Sequence, residues 1–199
     1  VAKESSKEEI IRRYYNTLID YRYAKESYHA VEKIEMLMSQ LEISPDDRLV
    51  AVKARMRSQR SKTEAFAIRL ENGEIITGKK SKLLSAPSAC ILNVLKKLGN
   101  LDDEILLISP HIIEPVSKLK TKSLGAVETS LSINEMLIAL SISATTNPLS
   151  HMATEQINKL NGLDAHSSVI LKDSQRSLLR KLGVNFTQDP ILRHDEYEY

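Results

Sequence analysis

Apolar residues recur at helical spacing through the first third of the chain. Ser6 and Glu9 stand at the spacing of a capping box, in which two orphan backbone donors at a helix start are satisfied reciprocally. Ile10, Tyr14, Leu18 and Tyr21 then repeat every three or four positions and predict one inward stripe. A second helix carries Val31, Ile34, Leu37, Met38 and Leu41 on one face. Ser44-Pro45-Asp46-Asp47 announces a third. Ser44 suits the N-cap, Pro45 the first helical position and the aspartates the positive end of the helix dipole. That helix is expected to reach Gln59, with Leu49, Val52 and Met56 inward.

The period changes to two at residue 64. Phe66, Ile68 and Leu70 alternate with other residues over Glu64 to Glu71. Asn72-Gly73 then predicts a type I′ hairpin turn, with Glu74 to Lys79 as the returning strand. A helix over Ala86 to Leu98 closes at Gly99. Glu104 to Ile108 reads as a short strand covered on both faces. Ile112 to Ser123 reads as a helix. Ser132 and Glu135 open another, Ile133 to Thr145, apolar nearly all round and so expected to be buried. Pro148 restarts a helix that ends near Asn161-Gly162. His166 to Leu171 is expected as a strand, Ser174 to Leu182 as a helix, Val184 to Thr187 as a strand and His194 to Tyr199 as a loose tail.

Helices alternating with strands from residue 64 onward imply a sheet with helices on its faces. The expected fold is α/β, a helical N-terminal segment packed on a three-layer α/β sandwich. The expected division is 1–63 helical, 64–190 α/β and 191–199 tail, with the boundary in the polar run Ser58 to Thr63.

Composition narrows the function classes. With 199 residues, 42% hydrophobic and 27% charged, the chain is an ordinary globular length and mixture. The net charge of +2 points to neither nucleic acid nor a basic partner. Residues 1–63 hold thirteen basic against ten acidic residues and the remainder fifteen against sixteen, too even to give the two parts separate partners. The single cysteine, Cys90, permits no internal disulfide and fits a reducing, cytoplasmic setting. No apolar run approaches the ~18 residues that cross a bilayer. The chain opens on Val1 with no signal pattern behind it, and reads as part of something longer.

Candidate chemistry is sparse. Lys53, Arg55, Arg57, Arg60 and Lys62 form the densest basic cluster, but no aromatic interleaves to stack bases. A solvated helix end accounts for it, and nucleic acid is not expected. Tyr14, Tyr15, Tyr21, Tyr23 and Tyr28 crowd the first helices, where a tyrosine's apolar body and polar tip suit either half-buried packing or an interface. His29, His111, His151, His166 and His194 show no metal-binding spacing, and no metal is expected. Cys90 lies near a helix start, where a thiol is activated by the dipole, but among apolar neighbours that favour inert packing.

The most suggestive polar set closes the apolar helix: Ser141, Ser143, Thr145, Thr146 and Asn147 before Pro148. These hydroxyls either bond back to helix carbonyls or line a pocket in which Thr145, Thr146 and Asn147 meet an anion at the next helix start. His166 and Lys122 complete the candidate set for an anionic small molecule. Lys118, Lys120 and Lys122 form no P-loop, and no Gly-x-Ser-x-Gly elbow exists in the chain.

Long stretches resemble a bacterial family, that of domain of unknown function 1846. They include Lys7 to Tyr15, Val31 to Glu35, Ile43 to Arg48, Leu107 to Pro110, Leu119 to Gly125, Ala139 to Pro148 and Ala165 to Leu171, spread over residues 7–190. The resemblance implies the C-terminal portion of a longer cytosolic protein whose missing N-terminal portion carries a glycine-rich, phosphate-loop-like stretch. It transfers no catalytic residue and no cofactor. The order hairpin, helix, strand, helix over 64–123 is also similar to the cytidine deaminase fold. Deaminases place His/Cys-x-Glu and Pro-Cys-x-x-Cys where this chain has Ser88-Ala89-Cys90 and Pro110-His111-Ile112-Ile113, so their zinc chemistry is missing. Two function classes follow. One is a non-catalytic regulatory or oligomerisation module, with homo-oligomers expected. The other is part of an enzyme site, shared with the N-terminal portion and binding a nucleotide or other anion.

Overall fold

The computed structural model describes residues 2–192, with side chains from Ser6 onward; the expected tail lies outside the described residues. Three helices, α1 (Ala2–Arg22), α2 (Tyr28–Gln40) and α3 (Leu49–Ser61), precede the hairpin β1 (Ala65–Arg69) and β2 (Ile75–Lys79). Then come α4 (Ala86–Leu98), α5 (Pro110–Lys118), α6 (Ile133–Ala144) and α7 (Pro148–Thr154). The chain closes with β3 (Asp164–Ser167), α8 (Asp173–Lys181) and β4 (Asn185–Gln188). The four strands form one open sheet in the order β2-β1-β3-β4. β1 runs antiparallel to both β2 and β3, and β3 runs parallel to β4.

Helices cover both faces, as expected of an α/β sandwich. Phe66, Ile68 and Ala165 face α4, α6 and α8, packing with Cys90, Leu95, Met136, Leu140 and Leu179 in the main core. The alternate positions face α3 and α1: Ala67 packs on Val50 and Ala54, and His166 on Tyr15. Gly78 lets β2 approach α4 closely, because a Cβ there would lie 2.2 Å from the Cys90 amide nitrogen.

Several elements differ from expectation. The hairpin forms, but by a type I turn and a glycine bulge, since Gly73 has φ +84° and Asn72 does not have a positive φ. Asn72 Oδ1 accepts from the Glu74 amide at 3.0 Å, holding Asn72 out of the left-handed region that a type I′ turn requires. Residues 104–108 form no strand. The buried Ser150 hydroxyl takes the Leu107 carbonyl at 2.6 Å, and Asp102 caps the Glu104 amide at 2.8 Å. The hairpin–helix–strand–helix order over 64–123 is therefore not what forms, and the cytidine deaminase topology inferred from it is not established. Helix α6 is not buried all round: Ile138 and Ile142, one turn apart, are 62% and 53% exposed.

The inward stripe of α1 is displaced by one residue, and that of α3 lies on nearly the opposite face. Ile11, Tyr15 and Ile19 are buried rather than Ile10, Tyr14 and Tyr21; Val50, Ala51 and Ala54 rather than Leu49 and Met56. In α3 the cause lies at its start. Pro45–Asp47 form a separate turn, closed by the Ser44–Asp47 capping box. The backbone then breaks at Arg48 (φ −80°, ψ 85°) before the helix begins. The break carries the Arg48 side chain under the sheet and turns two alanines onto it.

Candidate functional site

The sheet face beneath α1 and α3 holds a buried ionic network centred on Arg48, which is 0% exposed. Each part of its guanidinium has a partner. Nη1 donates to Glu8 of α1 at 2.5 Å, Nε to the Thr187 hydroxyl at 3.0 Å, and Nη2 to the carbonyls of Ala165 and Asn185 at 3.2 Å each. Asp164 adds a carboxylate 3.5 Å from Nη2 and is itself held by Arg69 at 2.6 Å. A planar fork with five donors is the side chain that can join a helix, two strands and two carboxylates at one point.

His166 lies beside it, fully buried, with its ring edge-on to Tyr15 at 4.9 Å between centroids. Nδ1 sits 2.7 Å from the Thr187 hydroxyl, and Nε2 3.3 Å from Asp189 Oδ1, off the line of a good hydrogen bond. The Thr187 hydroxyl also accepts from Arg48 Nε and lies 3.4 Å from the Ala165 carbonyl, so it ties the imidazole to the guanidinium and to β3. Burial holds the imidazole below its ordinary pKa, against the pull of Asp189. Arg55 extends the chain of partners to the Tyr15 hydroxyl (2.9 Å), Asp189 (3.2 Å) and Asp46 (2.5 Å). Burial raises the Tyr15 pKa despite that cation. The network is close to charge-balanced and closed, the arrangement of a fixed joint between α1, α3 and the sheet.

Around the β4 edge, between α1 and α8, the polar groups open into a cleft of about 510 Å³. Arg12, Arg176 and Arg180 line it together with Asn16, Asp20 and Asn185. Arg12 is tied to Glu9 at 2.7 Å and Arg176 to Asp173, each a pair within one helix turn to an exposed carboxylate, and Arg12 also lies 3.9 Å from Asp164 of the buried network. Arg180 makes no ion pair among the described residues and lies 6.0 Å from the Phe186 ring.

The expected site residues fall in different places. Thr145 and Thr146 are exposed at the end of α6, where the Thr145 hydroxyl bonds back to the Ile142 carbonyl at 2.7 Å. Asn147 caps α7, its Oδ1 accepting from the Leu149 amide at 3.0 Å. Lys122 is exposed beyond α5. His166 lies under α1, on the sheet face away from α6, because its neighbour Ala165 is the residue that packs in the core with Met136 and Leu140. The geometry thus does not gather His166 with the α6–α7 residues. Cys90 is buried, its thiol donating to the Ile76 carbonyl at 3.3 Å, and burial pushes its pKa far up; nothing activates it. Arg12 and Arg48 stand far along the chain from Arg176 and Arg180, so no local spacing brings the four together. The break signal at Pro45-Asp46-Asp47 was the one local hint that Arg48 is special.

Residues 46–197 match the family model described as domain of unknown function DUF1846, C-terminal. The chain belongs to the DUF1846 family. A UPF0371 protein of Streptococcus uberis is 43% identical over 196 residues, covering 98% of this chain and 40% of the relative. One of Streptococcus pneumoniae (strain CGSP14) is 46% identical over 194 residues, covering 98% and 39%. The DUF1846 chain thus spans about 40% of the length of the curated relatives it matches. The family model opens at Asp46, so Glu8 and Tyr15 of the buried joint lie before the matched domain and Arg48, His166 and Asp189 within it. Among the described residues, no helix is long and apolar enough to cross a membrane.

Proposed function

We propose that this DUF1846 portion is a non-catalytic docking module of a longer cytoplasmic protein. Its α6–α7 surface packs against the part of that protein outside this chain. The observation that supports this is the outward face of α6. Ile138 and Ile142 are exposed there, and on the adjoining α7 Leu149 and Met152 are exposed as well. Exposed apolar residues on two helices packed together mark an interaction surface more readily than single ones do. About three-fifths of the length of the family relatives lies outside this chain, which supplies a covering partner in the same polypeptide. The regulatory or oligomerisation role then consists in how firmly the two parts hold together. An enzyme site using Thr145, Thr146, Asn147, Lys122 and His166 on an anion would first require His166 to leave a buried joint.

The test is Ile138→Glu with Ile142→Glu in the full-length protein, with Met36→Glu on the exposed side of α2 as control. The expected result is a lower melting temperature and faster amide exchange across α6–α7, with the control unchanged. Unchanged melting and exchange would remove the docking reading. Faster exchange together with a halved solution mass would assign the face to a second copy instead.

A further inference from the structure

We propose that the cleft between α1 and α8 is a binding site for a phosphate monoester of a polyhydroxylated molecule, in the size range of a sugar phosphate. Three guanidiniums converge there from two helices remote in sequence, Arg12 from α1 and Arg176 and Arg180 from α8. Planar forks of this kind recognise phosphate oxygens in pairs. Their short ion pairs are weak ones. The Glu9 and Asp173 carboxylates are exposed, and exposed pairs within a helix turn contribute little, so an incoming phosphate can displace them, while the second carboxylate near Arg12, Asp164, lies at 3.9 Å. The Nε–H groups of Arg12 and Arg176 are shielded from water yet have no acceptor among the described residues, so neither guanidinium is fully committed to the protein.

The strand edge adds neutral donors. The amides of Asn185 and Asp189 bond to β3, through the Leu163 and Ser167 carbonyls. The two-residue period of the strand therefore turns the amides of Phe186 and Gln188 outward, to the side on which the cleft lies. Asp20 and Asn16 occupy the same cleft, and Asp20 makes no ion pair among the described residues. A bare anion has no use for that carboxylate, whereas hydroxyls on a sugar donate to it. The volume of about 510 Å³ is that of a small-molecule site rather than of a single ion.

The test is titration of the full-length protein with ribose 5-phosphate, ribose and inorganic phosphate, read by calorimetry. Saturable binding of ribose 5-phosphate is expected, at least tenfold tighter than inorganic phosphate, with none for ribose. Arg180→Ala, at an exposed position of the last turn of α8, is expected to weaken the ester about tenfold or more, and Arg180→Lys less. Asp20→Asn is expected to weaken the ester and leave inorganic phosphate unchanged. Arg60→Ala, in the basic groove beside β2, serves as control and is expected to change nothing. Absence of saturable binding, equal affinity for ester and inorganic phosphate, or an Arg180→Ala variant that binds as the parent does would each overturn the proposal.

Discussion

The two faces of the sheet are held by different physics. On one, Phe66 and Ile68 meet α4 and α6 through apolar side chains with no charge among them. On the other, Arg48, Glu8, Asp164, His166 and Asp189 join α1 and α3 to the strands, with only small apolar clusters around Tyr15 and Ala54. An apolar face depends on shape and volume, and its strength is indifferent to pH. A buried ionic face depends on every partner being present, because a charge left alone in the interior is expensive. The apolar face therefore supplies stability, and the ionic face fixes where α1 and α3 sit.

The sharpest way to break this comparison is Arg48→Ala. It leaves Glu8 and Asp164 to Arg69, at the margin of the site, and takes the buried donor from the Thr187 hydroxyl and from the Ala165 and Asn185 carbonyls; it is expected to destabilise by about 3–5 kcal/mol. Urea denaturation checks it. The loss is expected to shrink from pH 7 to pH 5, because the His166 pKa, depressed first by burial, is depressed further by the Arg48 charge that the variant removes. The counterpart on the other face is Leu140→Ala, expected to cost about 2–5 kcal/mol through lost burial and the cavity left behind. That loss is expected to be equal at pH 5 and pH 8. If both variants respond to pH alike, the division between the faces fails.

His166 refines the same contrast. Its folded pKa is depressed by burial below the unfolded value of 6.5, so the unfolded chain binds the proton more readily. Its contribution to stability is complete above about pH 6.5 and is lost progressively as pH falls from there towards the folded pKa. His166→Gln is expected to flatten the pH dependence of the urea midpoint between pH 7 and 5. An unchanged slope would show that the imidazole is not what titrates.

The apolar face was legible in the sequence and the ionic face was not. Phe66, Ile68 and Leu70 declare their side by alternation alone, and Ser132 with Glu135 announces the start of α6 correctly, the Ser132 amide donating to Glu135 at 2.7 Å. In α3 the large apolar side chains of Leu49 and Met56 outweigh Ala51 and Ala54 in any periodicity count and point it to the wrong face, while in α1 the doublets Ile10-Ile11, Tyr14-Tyr15 and Leu18-Ile19 fit two adjacent stripes equally. Small residues are what allow a helix to lie close to a sheet. Arg48 and Asp164 stand 116 positions apart and meet only through the fold, so no local pattern announces them. The cleft arginines were hidden for the same reason. Of the expected site, His166 stands apart because the sheet pleat sends it to the face opposite α6.

Asn147 gives the smallest and most local effect. Its carboxamide accepts from the Leu149 amide at the start of α7, a helix that joins the apolar side through Ala153. Replacing an asparagine cap by alanine leaves one helix donor without its acceptor, so Asn147→Ala is expected to cost about 1 kcal/mol. A cap carries no titrating group between pH 5 and 8, so the loss is expected to be constant over that range. It is also expected to leave ribose 5-phosphate binding untouched, because the α7 start lies outside the residues that line the β4 cleft. A loss that grows on acidification would tie α7 to the ionic face, and weakened binding would return the anion site to the α6–α7 junction.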